Sequence, residues 1–166
     1  MIGRVLLRLR QLGYADALPR RLLGGLLFAL SEAEARVLRP GERVFLRAAY
    51  LRNAGARLSG PFHVGQGLRL HLSAPLTVGP RACLGENAGL YVHAPVTIGA
   101  DFLAAPGLTL NNGAHDLATL RPSAAPLVIG DRVWCGVNVT LLAGASLGDD
   151  CVIGAGSLVR TPIPPR

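Results

Sequence analysis

Few side chains here can do chemistry near neutral pH. The 166 residues hold four histidines, His63, His71, His93 and His115, and three cysteines, Cys83, Cys135 and Cys151. An imidazole that titrates near neutrality can take a proton from a hydroxyl or amine as that group attacks, so each histidine is a candidate general base. His115 is set apart by its surroundings. It follows Gly113-Ala114 and precedes Asp116 in NNGAHDLATLRPSAAPL, a stretch with Pro122, Pro126 and few inward aliphatics that reads as a loop. Loops on rigid scaffolds commonly carry site residues, and a solvated loop histidine is the other reading these residues leave open. The cysteines are odd in number and lack a CxxC spacing, which points to small buried hydrophobes in a reducing cytoplasm.

A loop can hold such a residue only against a rigid wall, and the wall is visible in Leu127 to Thr161. Ile129, Cys135, Leu141, Leu147, Ile153 and Val159 recur every sixth position, and Gly130, Gly136, Gly148 and Gly154 follow four of them. A second, smaller set comes four residues after each: Val133, Val139, Ala145, Cys151 and Ser157. Helices need spacings of three and four and strands alternate in twos, so a strict six indicates a parallel β-helix, one strand and one corner per hexad. Glycine after the marked residue is expected to turn the corner through positive φ. A weaker register starts after Pro61, with Val64-Gly65, Val78-Gly79, Leu84-Gly85 and Leu90. Between Leu90 and Ile98 the frame slips by two residues, then runs through Ile98-Gly99, Ala104 and Leu110. From Leu110 to Ile129 it lapses, and residues 111–127 are the expected excursion.

Half of the chain is apolar but only 5% is aromatic, and glycine and proline together number 33, which suits a narrow solenoid. The net charge of +7 lies in residues 1–60, with 11 Arg against four acids; residues 61–166 balance six against six. Without aromatic interleaving or a reading motif, nucleic acid is not the expected partner. Residues 2–12 and the run RRLLGGLLFALSEAEARVL after Pro19 have helical spacing; residues 41–60 alternate loosely and are expected to form lead-in strands. The basic helical segment has three readings: a cap on the solenoid end, contact of residues 1–40 with an anionic membrane, or a secretion signal at Arg20-Arg21. The expected organisation is a helical segment with lead-in strands over residues 1–60 and a β-helix domain over 61–166.

The run IGDRVWCGVNVTLLAGASLGDDCVIGAGSLV closely resembles the C-terminal coils of hexapeptide-repeat O-acetyltransferases. VTIGADFLAAPGLTLNNGAHDL resembles the segment in which they carry their catalytic histidine, and GENAGLY at 85–91 with Gly113-Ala114-His115-Asp116 looks closest to exopolysaccharide enzymes of the colanic acid type, then to galactoside and maltose acetyltransferases. The resemblance covers roughly residues 64–165. It implies an all-β solenoid, a left-handed parallel β-helix, working as a homotrimer with acetyl-coenzyme A and a saccharide acceptor bound between subunits. It implies His115 as general base, with Asp116 either orienting the ring or capping the turn, and the backbone of Gly136 as an oxyanion donor. Trp134, Gly136, Ala155, Gly156, Ser157, Arg160 and Thr161 match positions along the coenzyme groove, Arg160 as a phosphate partner or a surface residue. His93, with Tyr91 and Asn112, is expected at the acceptor; relatives usually place an acidic residue or Asn where only His93 is polar here.

The resemblance implies no metal. The γ-class carbonic anhydrases share the β-helix but need two histidines five apart, and here the separations are 8, 22 and 22. Transfer to an amino sugar or small amine, and a non-catalytic β-helix scaffold, are the alternatives. Many relatives carry a C-terminal extension over the coenzyme cleft; the present sequence ends at Arg166, so weaker coenzyme affinity is expected unless the basic segment substitutes. The expected location is cytoplasmic, at the inner face of a membrane if the basic segment binds lipid.

Overall fold

The computed structural model describes residues 20–37 and 45–166. The helix expected over residues 2–12 lies outside them. After helices α1 (Arg20–Val37) and α2 (Phe45–Asn53), the chain winds into a three-sided prism of short parallel strands. Face A stacks Arg57–Leu58, Leu76–Val78, Val96–Ile98, Leu127–Ile129, Ser146–Leu147 and Pro162–Ile163. Face B stacks His63–Val64, Cys83–Leu84, Leu103–Ala104, Trp134–Cys135 and Val152–Ile153. Face C stacks Arg69–Leu72, Gly89–Val92, Thr109–Asn111, Thr140–Leu142 and Leu158–Val159. The winding is left-handed, against the usual sense of parallel crossovers. Strands of two to four residues carry little of the twist that normally imposes the right hand.

The six-residue period is the core. Ile129, Cys135, Leu141, Leu147, Ile153 and Val159 are all buried, as are Val133, Val139, Ala145 and Cys151. Burying each large aliphatic contributes about 1.5–3 kcal/mol, so a column repeated over successive coils can replace a globular core. Where the register is strict, Trp134 pairs with Val152 and Thr140 with Leu158, 18 residues on. In earlier coils the partners are 20 apart, as in Cys83 with Leu103 and Gly89 with Thr109. The two extra residues sit at the corner between faces C and A, in Ser73-Ala74-Pro75 and His93-Ala94-Pro95, which accounts for the slip between Leu90 and Ile98. Across the excursion, Leu103 pairs with Trp134, 31 residues on.

The corner glycines have a different cause from the one expected. Gly65, Gly79, Gly85, Gly99, Gly130, Gly136 and Gly148 do not have positive φ. They are required because the next coil lies against them: a Cβ on Gly99 would sit 2.5 Å from the Gly130 carbonyl oxygen, and one on Gly79 would sit 2.5 Å from Gly99. Positive φ falls two residues later. After face A it is taken by Arg81, Asp101, Arg132 and Asp150, and after face B by Gly67, Asn87, Gly107, Asn138 and Gly156. The first ladder alternates in sign, with Arg81 bonded to Asp101 (2.5 and 2.6 Å) and Arg132 to Asp150 (2.6 and 2.8 Å). The second alternates in size: the carboxamides of Asn87 and Asn138 fill the spaces where Gly67 and Gly107 lack a side chain.

Residues 45–53, expected within a strand pair, form α2 instead. Leu46, Tyr50 and Leu51 recur at helical spacing, and Leu46 and Leu51 are buried. The β-helix also starts earlier than expected, at Arg57–Leu58, which already pairs with face A. The two helices cap the first coil. Gly24 lets α1 approach α2, since a Cβ there would meet Asn53 at 3.3 Å, and Phe28 packs on Tyr50 with ring centroids 5.3 Å apart. Arg47 of α2 is wholly buried and ties the cap to the coil. Its Nη1 donates to the Gly65 carbonyl at 2.7 Å and its Nη2 to the Ser31 carbonyl at 3.0 Å, and it pairs with Glu32 at 2.8 Å. The other Glu32 oxygen accepts the Gly67 N–H at 3.0 Å. Among the described residues no helix is long and apolar enough to cross a membrane.

Gly99→Ala should therefore be costly, about 1–3 kcal/mol by urea unfolding, because the Gly130 backbone as well as the Asp131 carboxylate blocks the new methyl. Gly154→Ala, whose Cβ would meet nothing nearer than the Ser157 hydroxyl at 3.8 Å, should change stability by less than about 0.5 kcal/mol.

Candidate active site

The excursion after face C is a β-hairpin. Gly113–His115 pairs antiparallel with Pro122–Ala124, with Gly113 opposite Ala124 and His115 opposite Pro122. Its base is closed by Asn112, which is completely buried. The Asn112 Oδ1 accepts the N–H groups of His93 (2.8 Å) and Ala94 (3.3 Å), and its Nδ2 donates to the carbonyls of Ala94 (2.9 Å) and Ala125 (2.8 Å). One side chain thus joins both feet of the hairpin to the preceding coil's corner. Asn112 is not free for an acceptor, contrary to expectation, because its hydrogen-bonding capacity is spent inside the protein.

His115 is exposed, and its Nδ1 lies 2.9 Å from the Leu120 carbonyl. A carbonyl can only accept, so Nδ1 carries the hydrogen and the Nε2 lone pair is left to act as a base. Leu120 holds that carbonyl at φ +54°, a strained value for a non-glycine residue, with its side chain exposed. Asp116 does not orient the ring; it caps the turn. Its Oδ1 accepts from the Thr119 hydroxyl (2.7 Å), the Thr119 N–H (2.8 Å) and the Ala118 N–H (3.2 Å). The Thr119 hydroxyl, with help from the Thr119 and Ala118 amides, holds the Asp116 carboxyl below the usual carboxylate range.

An open pocket of about 480 Å³ lies beside His115, lined by Ser73, His93, Asn111 and the hairpin residues Gly113 to His115 and Pro122 to Ala124. His93 lies under the hairpin because Gly113 has no side chain; a Cβ there would come 2.6 Å from its ring. Tyr91 does not line the pocket. It is half-buried on face C, between His71 and Asn111 in the strand register.

The residues expected along a coenzyme groove do not line this pocket. Trp134 is half-exposed on face B between Leu103 and Val152, themselves exposed. Ala155, Gly156 and Ser157 form the last corner between faces B and C, Ala155 and Gly156 exposed. Arg160 and Thr161, both exposed, share the hairpin's corner of the prism in a later coil. The Gly136 N–H donates to the Ile153 carbonyl at 2.9 Å, so it is not available as an oxyanion donor: coil stacking consumes it. Burial pushes the Cys135 thiol up to about 12, which keeps it protonated and inert. Among the described residues no three His, Cys, Asp or Glu side chains converge as a metal site.

Residues 126–160 match the family described as the hexapeptide repeat of succinyl-transferase. The chain is 32% identical over 120 residues to an Escherichia coli protein carrying the name colanic acid biosynthesis acetyltransferase, a match covering 71% of this chain and spanning 66% of that protein's length. It is 34% identical over 145 residues to another from Escherichia coli named for lipopolysaccharide biosynthesis O-acetyl transfer, covering 74% of this chain and 71% of that one. A solved galactoside acetyltransferase in complex with coenzyme A superposes with a TM-score of 0.59 at 27% identity, over 88% of this chain and 73% of that one.

Asn112→Ala should strand several buried groups and cost about 3 kcal/mol, seen as faster hydrogen exchange in residues 113–124 than in the coil below. The Asp116 cap has a definite pH window. Its depressed pKa means that its contribution is complete above the ordinary aspartate range and is lost as pH falls through the depressed value. Thr119→Val should raise the Asp116 midpoint toward that ordinary range in an NMR titration.

Proposed function

Because the chain belongs to the hexapeptide-repeat acetyltransferases, we propose that it transfers an acetyl group from acetyl-coenzyme A to a hydroxyl of a saccharide or polysaccharide precursor, with His115 as general base. The observation that carries this reading is the His115 imidazole, fixed by the Leu120 carbonyl with Nε2 as its basic nitrogen, beside an open pocket. Acetyl-coenzyme A supplies the activated acyl thioester. Nε2 takes the proton of the acceptor hydroxyl as its oxygen bonds to the acyl carbon. When the carbon–sulfur bond breaks, the imidazolium returns that proton to the departing thiolate. The hydroxyl is the acceptor preferred here over an amine, as the names of the O-acetyl transferring relatives suggest.

The second part of the proposal is a homotrimer with sites between subunits. Trp134 and Ala155 to Ser157 are on different parts of the prism from His115, so one chain does not gather both groups. A neighbouring copy that places its face B against the hairpin would bring them together and cover the exposed Leu103, Trp134 and Val152.

His115→Ala should lower acetyl transfer by about 10²–10⁴-fold while leaving coenzyme A binding and a solution mass of three chains unchanged. Turnover at the wild-type rate in that variant would refute the role of His115.

A further inference from the structure

The pocket beside His115 holds a second imidazole, and strand alternation relates the two. Gly113 and His115 lie two apart on one strand of the hairpin, so their side-chain directions point to the same face of it. On that face His93 takes the place of the missing Gly113 side chain: a Cβ there would come 2.6 Å from the ring's Cδ2 and 3.2 Å from its Nε2. Ala114 and Ser123, paired with each other, point to the opposite face. His93 and His115 therefore stand side by side on one face of the hairpin, separated by two residues of strand, about 7 Å.

Both rings offer the same kind of atom. His115 gives its Nδ1 hydrogen to the Leu120 carbonyl, which leaves Nε2 as an acceptor. The His93 Nδ1 lies 3.5 Å from the Ser73 hydroxyl, whose own proton goes to the Val92 carbonyl at 3.1 Å. Nδ1 carries the hydrogen in that contact, and the Nε2 lone pair is again left over. Neither Nε2 has a hydrogen-bond partner among the described residues. No carboxylate lines the pocket. Asp116 adjoins His115 but gives Oδ1 to its own turn. His71, stacked on His93 with centroids 5.1 Å apart, and Tyr91 beside it on face C are outside the lining. The lining also offers a donor: Asn111 spends its Oδ1 on the Gly113 N–H at 3.1 Å, so its amide hydrogens remain.

A single hydroxyl uses only one of these two acceptors. We propose that the acceptor is a saccharide presenting a pair of neighbouring hydroxyls, on adjacent carbons or one carbon apart. The reacting hydroxyl donates to His115 Nε2, its neighbour donates to His93 Nε2, and the Asn111 amide donates to an oxygen of the pair. This rests on the acetyl-transfer reading above and adds the substrate class to it. Two such oxygens, each about 2.8 Å from its nitrogen, bridge an interval of that size. His93 is thus a binding residue that selects which hydroxyl reaches the base, and the absent side chain of Gly113 is what admits it.

The test uses the methyl pyranosides of glucose, galactose and mannose, each with its monodeoxy analogues. Product NMR locates the acetylated position, kcat/KM is measured with acetyl-coenzyme A, and calorimetry into the coenzyme A-saturated full chain measures binding separately. Loss of one hydroxyl neighbouring the acetylated position should lower kcat/KM and affinity by about tenfold, the scale of one hydrogen bond. In His93→Phe, which has no acceptor, the same loss should change neither by more than about twofold, and Gly113→Ala, whose methyl displaces the ring, should behave alike. His93→Asp, which restores an acceptor, should keep the discrimination; thermal melting confirms that each variant is folded. A wild-type chain that binds none of the glycosides, or is indifferent to every single deletion, overturns the proposal. So does discrimination that persists in folded His93→Phe or vanishes in folded His93→Asp. If calorimetry shows the His93-dependent discrimination but no glycoside is acetylated, the hydroxyl-pair subsite stands and the transfer reading fails; acetylation that ignores the neighbouring hydroxyl does the reverse.

Discussion

Everything in this protein depends on stacking backbone directly on backbone. Each corner gives its N–H to the coil beside it, as Gly65 does to Leu84, Gly99 to Ile129 and Gly136 to Ile153. That contact leaves no room for a Cβ at the tightest positions and no spare donor on the corners that make it. A wall built this way is stiff because its polar backbone groups are mutually satisfied. For the same reason it is chemically silent, and a reactive group has to be carried where the stacking is interrupted.

The hairpin between faces C and A is that interruption, and its anchoring shows how a loop acquires precision. Asn112 fastens both feet through four hydrogen bonds, Asp116 caps the turn, and the strained Leu120 directs its carbonyl at His115. The carbonyl fixes the tautomer, which is the work often given to a carboxylate. Here a backbone dipole does it, and no buried charge has to be desolvated beside the base.

Much of the fold was legible because the six-residue period reports directly on which side chains enter the core, and the two-residue slip after Leu90 marked the enlarged corners. The loop with His115 was legible as the place where the period lapsed. What escaped was set by neighbours in space. Gly136 has the composition of an oxyanion turn, but its N–H is claimed by a residue one coil away. Asn112 looked like a ligand for an acceptor because nothing in its local sequence reveals that the 93–94 corner and Ala125 converge on it. Asp116 beside His115 invited pairing, while the turn geometry sent its oxygens to Thr119. The helix at residues 45–53 was hidden because RVFLRAAYLRN satisfies a loose alternation as well as a helical face, and the burial of Leu46, Arg47 and Leu51 at the end of the prism decides between them.

The two ladders of left-handed residues bear on how such a chain can change length in evolution. Arg81, Asp101, Arg132 and Asp150 alternate in charge, and Gly67, Asn87, Gly107, Asn138 and Gly156 alternate in size. Deleting the coil with Asp101 would set Arg81 against Arg132. Deleting the coil with Gly107 would set Asn138 beneath Asn87, where the backbone has a Cβ instead of the space it now occupies. Removal or duplication of two consecutive coils preserves both alternations. Both ladders therefore repeat over a pair of turns, twice the structural repeat that the core alone would suggest.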